Sequence, residues 1–305
     1  MLSVIVPATD SPPTLARCVR AVEDSMPEAA ELIVQTEPAG SGPAAARNRA
    51  ARRARGEVLV FVDSDVVVHA DALRGIAARF ARGPQVTAVF GSYDQSPQAP
   101  GVVSRFRNLL HHHVHTSSPG PAETFWAGLG AVRRDAFERA GGFDAGRFPV
   151  AAIEDIELGA RLRELGGRIE LDPAIRGTHL KAWTLRSMIA TDFARRGVPW
   201  TRLQLERRSP ARSLNMAPRQ RLAVGAAAAA ALAAVAGRPR IAAASIAGMV
   251  AANAPLYALL ARTGGLRLAA AGVPLHAVHH LTAMAAVVAG AVAHAAVGPT
   301  RRVTR

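Results

Sequence analysis

Four short, nearly unbroken apolar runs mark the first third of the chain, at residues 2–6, 32–35, 58–62 and 86–90. Runs of this length with polar boundaries read as strands of a sheet covered on both faces. Between them, helical patterns occupy 14–23, 43–55 and 70–82. The second opens on Pro43, a residue suited to the first turn of a helix. Strand alternating with helix predicts an α/β domain on a parallel sheet, with ligands at the carboxyl ends of the strands. This domain is expected over residues 1–205. From Leu222 the pattern changes, and 222–236, 241–261 and 268–297 hold almost no charge. Apolar helices of about 20 residues can cross a bilayer. Two or three transmembrane helices are therefore expected over 222–298, after a basic linker at 206–221 and before a basic tail at 299–305. A buried Ala-rich bundle is the soluble alternative, and the abundance of Ala and Gly fits either account.

Charge gives the second region a direction. Arg195, Arg196, Arg202, Arg207, Arg208, Arg212, Arg219 and Arg221 crowd the approach to its first apolar segment. By the positive-inside rule that side, and the domain before it, are cytosolic, which makes a multi-pass protein of the cell membrane. Three spans would put the Arg-rich tail outside, whereas two or four would keep it inside. The chain carries 37 Lys+Arg against 23 Asp+Glu, a formal net charge of +14, which points to an anionic partner. Lys181 is its one lysine, and an Arg-, Ala- and Gly-rich composition is also what a GC-rich genome produces. Aromatic RNA-binding motifs, zinc-finger spacing and a basic recognition helix are missing from the sequence, so nucleic acid is not an expected partner. The one cysteine, Cys18, excludes an intrachain disulfide and a Cys-rich zinc site. Its apolar surroundings predict a buried, inert thiol. The residues before the first strand lack the basic start of a signal peptide, and none is expected.

Asp63-Ser64-Asp65 ends the run at 58–62. In extended chain alternate side chains share a face, which turns Asp63 and Asp65 the same way. Two hard oxygen ligands suit Mg²⁺ or Mn²⁺, which in turn hold phosphate oxygens. A pair of turn-forming aspartates would look the same in isolation. A second motif competes. Gly40-Ser41-Gly42-Pro43-Ala44-Ala45 satisfies G-x-G-x-x-A after a strand, with Asp63 near the place of a ribose-binding acid. That reading makes the chain an NAD-dependent oxidoreductase. It is weakened because the motif follows the second strand rather than the first, and because ribose binding needs no doubled acid.

Further motifs follow one another in order: Val4-Ile5-Val6-Pro7, Pro43-Ala44-Ala45-Ala46-Arg47-Asn48, Phe61-Val62-Asp63-Ser64-Asp65, Arg133-Arg134-Asp135-Ala136-Phe137 with Gly141-Gly142-Phe143-Asp144, and Ile153-Glu154-Asp155-Ile156-Glu157-Leu158. Over residues 1–205 this series resembles the family 2 glycosyltransferases of GT-A fold, a Rossmann-like nucleotide-diphospho-sugar transferase domain. Arg195-Arg196-Gly197-Val198-Pro199-Trp200 and the apolar tail resemble its membrane-anchored members. The resemblance implies a nucleotide-sugar donor, a lipid-linked or envelope-glycan acceptor and a divalent metal. It implies Asp65 as direct metal ligand, with Asp63 close to the ribose or a metal-bound water and His179 completing the metal shell or meeting the diphosphate. Asp155, beside Glu154, is implied as the base that deprotonates the acceptor hydroxyl in a single inverting displacement. The bland account of both acids is that they favour the amino end of a helix. Pro7, Ala8, Thr9, Glu37, Arg47 and Asn48 fall on the donor side, Glu37 standing where related enzymes often carry aspartate. Trp126, Gly128 and Trp200 fall on the acceptor side, Trp126 as a stacking platform or a core residue.

Two groups of histidine stand apart. His111, His112, His113 and His115 look like a metal tract on paper, but adjacent positions cannot face one ion, so a solvated face is expected. His276, His279 and His280 share one side of an apolar helix, where ionisable residues mark function, such as contact with a lipid phosphate, or simply lie at the interface. A non-catalytic membrane scaffold of the same fold is the remaining alternative, which the intact acids argue against.

Overall fold

The structure, a computed structural model, describes residues 1–208 and 218–297. Arg212 and most of the basic linker, together with the tail from residue 298, lie outside the described residues. The chain divides into two compact units. The first takes Met1–Pro100 and Asn108–Ala182, and the second takes Gly101–Arg107 and the described residues from Trp183 onward.

The first unit is a sheet covered by helices. Its strands are β1 (Leu2–Pro7), β2 (Ala30–Gln35), β3 (Val58–Val62), β4 (Val66–Val68), β5 (Val86–Tyr93), β6 (Gly120–Pro121), β7 (Leu129–Arg133) and β8 (Arg168–His179). Its helices are α1 (Leu15–Ser25), α2 (Pro43–Ala51), α3 (Ala72–Arg82), most of α4 (Val102–Thr116), α5 (Arg134–Arg139) and α6 (Glu154–Glu164). The order across the sheet is β2-β1-β3-β7-β5-β8-β4, with β6 added beside β8. The sheet is mixed rather than parallel throughout. β1, β2 and β3 run parallel, as do β5 and β8, but β7 is antiparallel to both its neighbours and β4 is antiparallel to β8.

Alternation along the central strands explains the two covered faces. Val4, Val6, Val60 and Val62 join Cys18 and Val22 of α1 and Leu73, Ile76 and Phe80 of α3 in one core cluster. Phe61, one residue out of phase, turns to the opposite face and packs on Phe137 and Phe143, with ring centres 5.6 and 5.1 Å away. The Cys18 thiol is fully buried, and burial reinforced by the charges of Asp63 and Asp65 pushes its pKa up to about 12, so it is inert as expected.

The second unit is helical: α7 (Leu185–Ala190), a π-helical segment (Thr191–Gly197), α8 (Val198–Arg207), α9 (Pro218–Val235), α10 (Pro239–Ala252) and α11 (Ala254–Val297), with the first turns of α4. Residues 183–205, read from the sequence with the first region, are grouped here. Small residues let the helices close up. A Cβ at Gly197 would stand 2.4 Å from that of Ala286, and Ala223 and Ala227 meet Met249 between α9 and α10. The stretch 241–261, expected as one span, is two helices. α10 stops after 14 residues at Asn253, a buried side chain that donates to the Met249 carbonyl (3.0 Å) and accepts from Gln220 (3.2 Å). Among the described residues one helix, Ala254–Ala296, is long and apolar enough to cross a membrane, and 22 % of its most apolar stretch is buried. Gly265, at φ 72°, interrupts it.

Where β5 meets β8 the register shifts between Phe90 and Ser92, and Gly91 lies against the partner backbone. A Cβ there would come 2.1 Å from the Ile175 carbonyl oxygen, whereas one at Gly75 in α3 would make an ordinary 3.6 Å contact. Gly91→Ala is therefore expected to cost about 1–3 kcal/mol of overpacking. Gly75→Ala should be neutral or stabilising by up to about 1 kcal/mol. Thermal unfolding midpoints of the two variants should move apart, and equal midpoints would show that the strand pair yields.

Candidate active site

The D-x-D acids sit on a turn, not on a strand as expected. β3 ends at Val62, and the Val66 amide donates to the Asp63 carbonyl (2.9 Å), closing a tight turn into β4. The two carboxylates consequently have different partners. Asp63 is bound by Arg47 Nη2 at 2.5 Å. Asp65 faces His179 Nε2, with Oδ2 3.4 Å away.

Arg47 is the junction of the site. α2 carries it inward at 3 % exposure. Besides Asp63 it reaches Glu154 Oε1 through Nη1 at 2.9 Å. Its guanidinium lies over the Phe143 ring, 5.3 Å from the centre. Phe143 is held by Asn48, which donates to its carbonyl (2.7 Å) and accepts from its amide (2.9 Å). Gly142 at φ 70° makes that turn accessible. Asn48, read as a donor contact, thus spends both ends of its amide on the Gly-Gly-Phe turn. Arg47 joins four of the motifs, with its guanidinium made still harder to deprotonate by Asp63 and Glu154 against the pull of burial.

Asp155 is placed by a second close contact. A Cβ at Gly159 would stand 2.5 Å from the Phe125 amide nitrogen, so a glycine there lets α6 lie against the 124–128 loop. One turn earlier, Asp155 accepts from the Ala127 amide (3.1 Å) and from that of Ile156 (2.8 Å). The same loop accepts from the Asp63 amide through the Gly128 carbonyl at 3.0 Å. Arg47 and this loop therefore bring Asp63 and Glu154-Asp155 into one site. Glu154 is buried, its other oxygen taking the Ala152 amide (2.8 Å). Among the described residues no cation pairs with Asp155 itself. Burial and the Glu154 charge push its pKa up to about 6. Asp63 is raised too, by burial and against the Arg47 charge. Burial also pulls Asp65 upward, but contact with His179 and the charge of Lys181 outweigh it and leave its pKa lowered.

Among the described residues no three His, Cys, Asp or Glu side chains gather as a metal centre. Asp65 and His179 nevertheless suit a divalent cation of the kind that completes its shell with phosphate oxygens and water. Asp63, already committed to Arg47, fits the role of a neighbour to that ion better than that of a ligand.

The remaining expected residues are scattered around this centre. Pro7, Ala8 and Thr9 are buried at the end of β1, where Ala8 donates to the Gln35 carbonyl (2.9 Å). Glu37 is exposed, its carboxylate accepting from Ala39 (3.2 Å). Trp126 is half-buried over Gly128, where a Cβ would stand 2.4 Å from the indole. Trp200 lies on α8 of the second unit. The tract at 111–115 is not a solvated face: His113 and His115 are buried, and His115 bonds the Gly91 carbonyl (3.0 Å) because α4 packs on β5. His276 and His280 are buried, and His279 bonds Asp192 at 2.7 Å. Gly42, in the G-x-G-x-x-A loop, sits beneath the Pro149 carbonyl, 2.2 Å from where a Cβ would stand. Sequence reasoning missed Tyr93, Asn108 and Lys181, which reach the Asp65–His179 pair only through the fold.

A family model described as glycosyl transferase family 21 matches residues 9–296. The chain belongs to glycosyl transferase family 21. It is a glycosyltransferase, and the NAD-dependent reading of the glycine loop falls with that finding. The family number differs from the family 2 of the sequence resemblance, while glycosyl transfer and the GT-A fold are common to both. The structure is similar to mannosyltransferase PcManGT from Pyrobaculum calidifontis, solved in complex with GDP-Man and Mn²⁺. Identity is 21 %, the match covers 96 % of this chain and 86 % of that one, and the TM-score is 0.53. Residues 1–349 of S. aureus TarS match over 93 % of this chain and 90 % of that one at 14 % identity and TM-score 0.47.

Truncating Arg47 would leave Asp63 and Glu154 without their cation, a loss of about 3–5 kcal/mol for a broken buried pair. Arg47→Ala is expected to unfold at markedly lower denaturant, and Glu154→Gln to cost less. Adding Glu154→Gln to Arg47→Ala should recover part of the loss, because the two share one contact. Strict additivity would show that the bridge carries no coupling.

Proposed function

We propose that this family 21 glycosyltransferase moves a sugar from a nucleotide-diphosphate donor to an acceptor hydroxyl at a membrane, with inversion and with a divalent cation, Mg²⁺ or Mn²⁺. The observation that carries the reading is the joining of Asp63 to Glu154-Asp155 through Arg47 and the 126–128 loop. Four carboxylates, Asp63, Asp65, Glu154 and Asp155, share this site with one Arg47. An anionic diphosphate would be repelled from such a cluster unless a cation met it there. A divalent ion between Asp65 and His179 would supply that charge and stabilise the leaving diphosphate. The similar mannosyltransferase PcManGT was solved with GDP-Man and Mn²⁺, which supports this choice of donor class and metal.

The division of labour among the acids follows from their partners. Glu154 is fixed by Arg47 and positions its neighbour. Asp155 is free of ion pairs in its hydrogen bonding, and its raised pKa makes it a better base than an ordinary carboxylate. It takes the proton of the acceptor hydroxyl as that oxygen bonds to the anomeric carbon. The bond from that carbon to the donor phosphate breaks on the opposite side, releasing the nucleoside diphosphate. Arg47 holds Asp63 toward the donor, and Trp126 and Gly128 are assigned to the acceptor.

The membrane part of the proposal rests on the second unit. Leu222, Leu232 and Val235 on α9 and Val287, Val288 and Val292 on α11 are exposed apolar side chains, which a bilayer would cover. The acceptor is then a lipid-linked sugar carrier, a glycolipid or an envelope glycan, and the Arg-rich approach puts the first unit on the cytosolic side.

Donor turnover in a screen of nucleotide sugars should stop with EDTA and return with Mn²⁺. Asp65→Ala should lose it, and metal-independent turnover by that variant would overturn the reading. Asp155→Asn should leave donor binding intact and abolish transfer. Because the base acts deprotonated and its pKa lies near 6, the transfer rate should fall about tenfold per pH unit below that value. A rate level down to pH 4.5 would remove Asp155 from the role, and donor binding without any transfer would leave the scaffold.

A further inference from the structure

Asp65 and His179 leave a question about the ring itself. His179 is 6 % exposed, and its Nδ1 lies 2.7 Å from Asn108 Oδ1. The Asn108 amide, itself 2 % exposed, is oriented by its other end, where Nδ2 donates to the Lys181 carbonyl (3.4 Å). With its NH₂ group turned to a carbonyl, Asn108 can offer His179 only an acceptor. Nδ1 must therefore carry a proton and donate it. In the neutral ring the lone pair is then on Nε2, the atom that faces Asp65 Oδ2 at 3.4 Å. Opposite a carboxylate that lone pair is held either by a second proton on Nε2, which makes an ion pair with Asp65, or by a divalent cation that the two share. Tyr93 stacks on the same ring at 4.1 Å and 8° between planes, which fixes its plane and its aim.

We propose that Asn108 is a positioning residue: it sets the tautomer of His179 so that Nε2 is offered, with Asp65, to the divalent cation. The Lys181 carbonyl orients Asn108, Asn108 orients the ring, and the ring presents one nitrogen. Partners of this kind around metal-bound histidines raise ligand basicity and fix direction. The inference rests on the metal reading above and names a residue that touches neither donor nor acceptor in that reading.

The test is Mn²⁺ binding to the purified full chain without donor, followed by the EPR signal of free Mn²⁺. Asn108→Leu, which removes the acceptor, is expected to weaken binding about 10–100-fold. Asn108→Asp, which keeps an acceptor for Nδ1–H, should hold the affinity of the parent or raise it. A merely structural Asn108 would lower the unfolding temperature of both variants and leave the affinity of the folded protein within about twofold, which would overturn the proposal. Should Asn108→Leu fail to fold, ¹⁵N NMR of the parent decides, with the His179 signal assigned by its loss in His179→Gln. A proton on Nδ1 supports the proposal, and a proton on Nε2 alone overturns it. Parent protein that binds no Mn²⁺ would sink the metal reading itself, whereas normal binding by Asn108→Leu would sink only the role of Asn108.

Discussion

One guanidinium organises the catalytic unit. Arg47 holds Asp63 and Glu154, residues of two motifs far apart in the chain, and carries Phe143 of a third on its face. A planar fork with five donors can do this where an ammonium could satisfy only one carboxylate well. Its effect extends to the acid it does not touch. With Glu154 anchored and still negative, Asp155 gains a like charge beside it and only backbone amides to bind, which is the combination that raises a carboxylate pKa. The pairing that stabilises Glu154 is thereby also what distinguishes its neighbour. Asp65 lies outside the reach of this bridge and leans on His179 and Lys181, so the acids of one site are held in different protonation environments.

Close backbone approach is the second device. Gly128 under Trp126, Gly159 against Phe125 and Gly42 beneath Pro149 each sit where a methyl group would collide. The first two fix the 124–128 loop between the D-x-D turn and α6. The third gives the G-x-G-x-x-A segment a structural reason for its second glycine. One glycine of a pattern that spacing alone would assign to a dinucleotide is thus accounted for by packing, and the other, Gly40, by its backbone at φ 70°.

The strands that lie between two helical layers were legible because their centres are nearly unbroken apolar runs. The D-x-D, Arg-Asn and Glu-Asp motifs were legible as chemistry for the same reason that they recur in order. What the sequence concealed is pairing across long separations. β7, a short run of Leu129-Gly130-Ala131-Val132-Arg133, slots antiparallel between β3 and β5, and no local pattern announces that direction. His113 and His115 read as solvated because a row of histidines is polar, yet both are buried, and the Gly91 carbonyl of β5 takes the His115 ring. Asn108 carries no signal at all in one dimension. Its meaning comes from Lys181 and His179, brought beside it by β8 and the loop that follows.

The helical unit obeys a different constraint, that polar groups among apolar helices need partners. Asn253 ends α10 and is satisfied by Gln220 of α9 and by its own helix, so the break in 241–261 is a bonded joint. Asp192, in the π-helical segment, lies between Arg107 (2.6 Å) and His279 (2.7 Å). Burial opposes its charge, and these two partners hold its pKa far below the usual range despite that. An apolar hydropathy window sees such residues as interruptions. The structure uses them as the points where α9 meets α10 and where the π-helical segment meets α11. A π-helical turn widens the backbone by one residue per turn, and here it directs Asp192 inward to both partners. His279 of α11 thus has a role in joining helical segments, and a contact with lipid phosphate is not needed to account for it.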